Sequence, residues 1–269
     1  MSQFSSDLSQ LARLLDVIHD LRRKCPWDRA QRLADVPKYL IEEAYEAADA
    51  IARPGMHAIA DELGDLLAQV LFAAVIAEEE GLFPVVAMAQ RAADKLVRRH
   101  PHVYGDIKAE TPAEVVASWN QIKREERRAE GFQSALDGIT RGLPALMRAQ
   151  KLGDRARDAG MDWADIHEVL AKVREEMDEL EGALAADDHQ AAADELGDML
   201  LALANAPRFI GHDAEETLSR ACEKFIYRFK GVERIAAKRG LNLGQMTANE
   251  LESLWQEAKR DIEQAETDS

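Results

Sequence analysis

The chain has 269 residues, 46% hydrophobic and 6% aromatic, with a formal net charge of −16. That length and hydrophobic content allow one or two domains with real cores, and the Ala-, Leu-, Glu- and Arg-rich composition is a helix former's inventory. The negative charge argues against a nucleic-acid polymer as partner, because phosphate backbones are bound by basic surfaces. No stretch approaches the ~18 apolar residues of a membrane span.

In chain order, Leu8, Leu11, Leu14, Leu15 and Ile18 recur at helical spacing, and this first helix is expected to stop before a turn-like Cys25-Pro26-Trp27-Asp28. Pro37, just after Asp35, is placed to open a second helix that runs to the breaker Arg53-Pro54-Gly55. A third is expected from near Met56 to Gly81, a fourth over Val85 to Arg99, and a fifth from about Thr111 to Arg128. Residues 131–144, punctuated by Gly and Pro, read as a linker between domains at 8–130 and 145–266. The second half repeats the plan: Gly160-Met161-Asp162-Trp163, a helix through Ala186, one from about His189 to Ile210, one through Lys238 and one from Ala248 to Ala265. Strand-like alternation is missing, so the expected class is all-α.

The two halves share a constellation of acids. Glu42, Glu43 and Glu46 precede Glu62 and Asp65; Glu175, Glu176 and Glu179 precede Glu195 and Asp198, each 133 residues on. Residues three apart share a helix face, so each copy aims two carboxylates from one helix at two from its neighbour. Like charges brought together in this way repel unless a cation lies between them. An oxygen-only cage suits a hard divalent ion, Mg²⁺ or Mn²⁺; Mg²⁺ fits best, since zinc wants His or Cys and a carboxylate-bridged di-iron centre wants a His that neither cluster offers.

Acids on helices are usually a solvated face, but these lack the Lys at i+4 that marks a salt-bridged surface. Gly64 and Gly197 also repeat beside them, each costing about 1 kcal/mol relative to Ala unless close helix approach requires it. The helix after each cluster supplies cations for phosphate groups: Lys95, Arg98 and Arg99 in the first half, Lys224 and Arg228 in the second. Trp119 with Lys123, and Trp255 with Lys259, would set an aromatic plate for a base one turn from a cation. Cys25 and Cys222 lie in different halves without metal-type spacing and read as free thiols. The opening segment carries an acid and no long apolar core, unlike a signal peptide, so the expected compartment is the cytoplasm.

Taken together, Cys25-Pro-Trp-Asp28, Glu42-Glu-Ala-Tyr-Glu46, Asp61-Glu-Leu-Gly-Asp65, Arg98-Arg-His-Pro-His-Val103 and Trp119-Asn-Gln-Ile-Lys-Arg-Glu-Glu126 resemble the tandem-domain MazG proteins. So do Leu143-Pro-Ala-Leu-Met-Arg-Ala-Gln-Lys151, Glu175-Glu-Met-Asp-Glu179 and Glu223-Lys-Phe-Ile-Tyr-Arg-Phe229. The resemblance implies two tandem four-helix domains, a homodimer, and an enzyme that converts nucleoside triphosphates to monophosphates and pyrophosphate with Mg²⁺. It implies metal ligands at Glu43, Glu46, Glu62 and Asp65, and again at Glu176, Glu179, Glu195 and Asp198. Nucleotide contacts are implied at Lys172, Lys224, Arg228 and Trp255. Glu42 and Glu175 are then available as the base that activates water. Base discrimination is expected to be loose, in keeping with a nucleotide-pool housecleaning role. Two other readings stand beside this one: a metal-stabilised helical scaffold or toxin–antitoxin partner without turnover, and a narrow, dUTPase-like pyrophosphatase.

Overall fold

The computed structural model describes residues 2–52 and 59–267. Among them are twelve α-helices and no strand, divided into two units at residues 1–123 and 124–269. The fold class is the all-α one that the helical periodicity anticipates.

The first unit contains α1 (Ser2–Lys24), α2 (Pro26–Ala30), α3 (Pro37–Ala52), α4 (Ile59–Glu79), α5 (Val85–Arg99) and α6 (Pro101–Tyr104). The helix α7 (Pro112–Ala129) crosses the division. The expected turn at Cys25–Asp28 is instead a short helix, because Pro26 sits at its first position, where the missing N–H costs nothing. The expected Arg53-Pro54-Gly55 break and the start near Met56 lie outside the described residues. Past its last turn, α4 closes with Gly81 at φ +74° and Leu82 N–H donating to Ala77 O, a left-handed cap that needs no Cβ.

The core of this unit gathers Ala74, Val75, Ile76 and Ala77 of α4 with Ile18, Val36, Ala47 and Ala50. Buried Arg22 ties it together. Its Nε and Nη2 donate to Glu79 Oε2 at 3.0 and 2.5 Å, and Nη1 donates to Gln31 O at 3.1 Å and to Asp28 O. One guanidinium therefore joins α1 to the end of α4 and to the carbonyls around α2. This holds α4 and its acids in place.

The second unit contains α8 (Ala145–Asp158), α9 (Ile166–Ala185), α10 (His189–Leu203), α11 (Ala214–Arg239) and α12 (Ala248–Thr267). Residues 131–144 carry no helix. The helix expected from His189 to Ile210 divides: α10 ends at Leu203, and Pro207–Ile210 form a separate 3₁₀ turn, since Pro207 has no N–H to continue the ladder. Asp165 and Asp188 cap α9 and α10 by accepting from backbone N–H groups of the first turn.

The α9 and α10 helices pack extensively on one another, as do α11 and α12, while α8 touches both α10 and α11. Val232, Ala236, Leu254 and Ala258 form the α11–α12 core, with Trp255 at its edge. Close approach occurs at Gly153 of α8, where a Cβ would stand 1.6 Å from Oδ1 of buried Asn205. It does not occur at Gly64 or Gly197: a Cβ at either would meet nothing within 4 Å. The expectation that these two glycines admit a tight helix contact fails within the chain.

Candidate functional site

In each unit the acids sit on two successive, packed helices. Glu42, Glu43 and Glu46 lie on α3, and Glu62 and Asp65 on α4; Glu175, Glu176 and Glu179 lie on α9, and Glu195 and Asp198 on α10. The three- and four-residue spacings turn Glu43 and Glu46, or Glu176 and Glu179, to one side of their helix. In the first unit Glu43, Glu62 and Asp65 each place a carboxylate oxygen within 4.8 Å of the others. In the second, Glu176, Glu179 and Glu195 do so. Glu46 and Asp198 stand outside these tight triads, so the two cages use different third members.

Their electrostatics differ as well. Glu43 has its carboxyl raised above the usual 4.5, first by burial and then by the charges of Glu46, Asp65, Glu42 and Glu62. Glu176, only 3% exposed, is instead held below that value. The cause is Lys172, whose Nζ lies 2.6 Å from Glu176 Oε1 and 2.9 Å from Glu175 Oε1; the second cluster therefore does have an ion-pairing Lys four residues from one of its acids, on the N-terminal side, contrary to the sequence expectation. Lys172 is in turn held in its charged form by the two hydrogen bonds. Glu195 is raised by burial and by its contacts with Glu176 and Glu179. Triads of carboxylate oxygen at this separation have the donor chemistry of a hard divalent cation, which would relieve the repulsion that raises Glu43 and Glu195.

The remaining candidates are distributed around these cages. Glu42 and Glu175 are exposed beside the triads. Lys95 and Arg98 are exposed on α5. The guanidinium of Arg99 lies over the Trp119 ring at 5.5 Å, and His100 meets that ring edge-on at 4.8 Å. Lys123 is one turn further along α7, half-buried. In the second unit Lys224 and Arg228 lie one turn apart on α11, while Trp255 and Lys259 lie one turn apart on α12. Trp255 packs on Phe225, 5.3 Å away between ring centroids, and Phe225 stacks on Phe229.

Lys172 is thus joined directly to the acids, whereas Lys224, Arg228 and Trp255 belong to the neighbouring α11–α12 pair. Sequence reasoning missed the companions of the two tryptophans, His100 and Phe225. The signal was present: aligning Arg99 with Arg228 sets His100 against Phe229 and Leu96 against Phe225.

A duplicated all-α unit with a carboxylate triad on a helix pair defines a class. The family model for the MazG nucleotide pyrophosphohydrolase domain matches residues 31–104 and 165–232, the segments that carry the two cages. The chain therefore belongs to the MazG family and is a hydrolase of phosphoric anhydrides carrying the domain twice. Among its relatives, the nucleoside triphosphate pyrophosphohydrolase of Escherichia coli strain K12 is 46% identical over 258 residues, covering 94% of this chain and 98% of its own. The nucleoside triphosphate pyrophosphohydrolase/pyrophosphatase MazG of Thermotoga maritima is 36% identical over 248 residues, covering 91% and 94%. The nucleoside triphosphate pyrophosphohydrolase of Mycobacterium tuberculosis is 30% identical over 240 residues, covering 87% of this chain and 62% of its own.

Proposed function

We propose that this chain hydrolyses nucleoside triphosphates and their deoxy counterparts to monophosphate and pyrophosphate, with Mg²⁺ and with little choice of base. The observation that carries the reading is the convergence of three carboxylates in each of two MazG domains. The full ligand sets are Glu43, Glu46, Glu62 and Asp65, and Glu176, Glu179, Glu195 and Asp198. Mn²⁺ is an acceptable substitute for such an oxygen site. When bound, the ion supplies charge neutralisation and polarises phosphoryl oxygen.

The chain's own residues supply the rest. Lys172, Lys224 and Arg228 bind phosphate oxygens, and the two cations of α11 stabilise the charge that develops on departing pyrophosphate. Glu175, or Glu42 in the first domain, takes a proton from the attacking water. The water oxygen bonds to the α-phosphorus, and the bond to the bridging oxygen breaks with its electron pair leaving on pyrophosphate. Trp255 with Lys259, and Trp119 with Lys123, give each domain a flat aromatic surface and a cation, which accept any base. Lys95, Arg98 and Arg99 play the phosphate-binding part in the first domain. The domains extend over 8–130 and 145–266, joined by 131–144.

The working form is a homodimer. Met177 of α9 and Leu196, Leu200 and Leu201 of α10 are exposed in the single chain, beside the acids. Apolar surface of that extent on the helices of the site is what a second copy would cover. No described helix is long and apolar enough to cross a membrane; a cytoplasmic role in clearing the nucleotide pool fits the broad substrate range.

The test is turnover with Mg²⁺ over the eight common ribo- and deoxyribonucleoside triphosphates, with pyrophosphate and monophosphate scored separately. Both products from many bases are expected. Release of inorganic phosphate, or turnover confined to deoxyuridine triphosphate, would overturn the reading.

A further inference from the structure

The two cages are not equivalent in what already occupies them. In the second, the ammonium of Lys172 lies 2.6 Å from Glu176 Oε1, on a side chain of the triad that is itself almost wholly buried. The same ammonium reaches Glu175 at 2.9 Å. In the first, the position 133 residues earlier is Tyr39, which brings no charge. Its ring is engaged elsewhere, edge-on to Trp27 at 6.0 Å and beneath Lys38 Nζ at 4.6 Å. One cage therefore has a resident counter-ion from its own helix, and the other leaves its acids to repel one another.

We propose that Lys172 acts as an internal cation that competes with the metal for Glu176, so that the two domains load differently: the first takes a divalent ion alone, the second takes it together with a triphosphate. The inference rests on the reading of both triads as metal cages. A divalent ion held by Glu176 and an ammonium on the same carboxylate would stand a few ångströms apart, sharing one negative charge between three positive ones. Lys172 can move away because its charge sits at the end of a flexible four-carbon stem and its side chain is 39% exposed. Leaving Glu176 and Glu175 costs it two charge-assisted hydrogen bonds. A triphosphate returns equivalent acceptors; water alone does so less well. Nucleotide and metal thus assist each other in the second domain, and by linkage each raises the affinity of the other by the same factor. The first domain, with Tyr39 in this place, lacks this contribution to the coupling.

The experiment is a calorimetric titration of the full chain with Mn²⁺ and no nucleotide, repeated on Lys172→Met and Tyr39→Lys. Glu43→Gln and Glu176→Gln assign each binding event to a cage, and the helical circular dichroism of every variant is compared with the parent. The parent is expected to bind one Mn²⁺ tightly, an event lost in Glu43→Gln, and a second more weakly. Lys172→Met should strengthen the second event by about fivefold or more, the equivalent of one modest ion pair. Tyr39→Lys, which installs the competitor in the first cage, should weaken the first event and provides the test even if Lys172→Met fails to fold. Equal Mn²⁺ affinities at both cages, unmoved by either substitution, would overturn the competition while leaving the cages as metal sites. Absence of Mn²⁺ binding in the parent and in every variant would overturn the metal reading itself, and the inference with it.

Discussion

Gly153→Ala tests how the second domain is held together. A Cβ on Gly153 would stand 1.6 Å from Asn205 Oδ1, 2.6 Å from its Cγ and 3.1 Å from its Nδ2. Asn205 is 1% exposed, and its Nδ2 donates to Leu201 O at 2.9 Å, so the amide cannot turn away without breaking that bond. Overpacking of a buried contact costs about 1–3 kcal/mol, and an unmade buried hydrogen bond costs about 1–2 kcal/mol more. Against this, Ala gains about 1 kcal/mol over Gly in a helix interior. The expected net effect is a destabilisation of about 2 kcal/mol. It should appear in urea unfolding, with hydrogen exchange used to place the loss in α8 and α10.

The companion Asn205→Ala removes the obstructing amide. In that background Gly153→Ala should become neutral or stabilising, a coupling of about 2–3 kcal/mol between the two positions. Because α8 contacts both α10, which carries Glu195, and α11, which carries Lys224 and Arg228, turnover should fall in the single variant and recover in the double. A Gly153→Ala protein as stable as the parent, or a coupling near zero, would refute this account of the contact.

Four further outcomes are expected. Glu176→Gln should lower Mg²⁺-dependent turnover by about two orders of magnitude, while Glu43→Gln keeps much of it; equal losses in steady-state assays would mean that both domains work, and loss from Glu43→Gln alone would assign the activity to the first. Because Glu43 is raised above 4.5, Mn²⁺ binding at the first cage should displace a proton and weaken as pH falls through that raised value; the metal-free domain gains stability from this group as pH drops from the raised value toward 4.5, since the folded state then holds more protons than the unfolded one. Arg22→Met should destabilise the first domain in thermal melts by about 2 kcal/mol, less than a fully buried ion pair because Glu79 regains water on its exposed side. Gly197→Ala should stabilise the isolated chain by roughly 0.8–1 kcal/mol, as nothing lies within 4 Å of the added methyl; if the variant is less stable at concentrations where gel filtration shows a dimer, another copy packs there.

The acids were legible because their chemistry and their spacing repeat together. A 3.6-residue period fixes which of Glu43, Glu46, Glu176 and Glu179 share a face, and a duplicated register makes coincidence a poor explanation. The helices were legible for the same reason, with ends marked by Pro37 and Gly81. Where the reading failed, a local rule met a tertiary one. Pro207 ended a helix that hydropathy alone would carry to Ile210. Gly64 and Gly197 suggested a close contact, yet the close contact lies at Gly153, whose neighbour Asn205 is far away in sequence and carries no pattern that points to it.

The all-α class, the duplication and the pair of acidic clusters were readable along the chain, since each rests on periodicity and residue type, which are local properties. Packing between helices decides which three carboxylates meet in each cage, that Arg22 is buried against Glu79, and that Tyr39 turns to Trp27, whereas the Lys172–Glu176 pair, four residues apart on α9, is set by spacing along a single helix. The packing outcomes depend on how neighbouring helices rotate against each other and on which side chain of another element reaches a buried charge first. Residue spacing along one helix does not encode either.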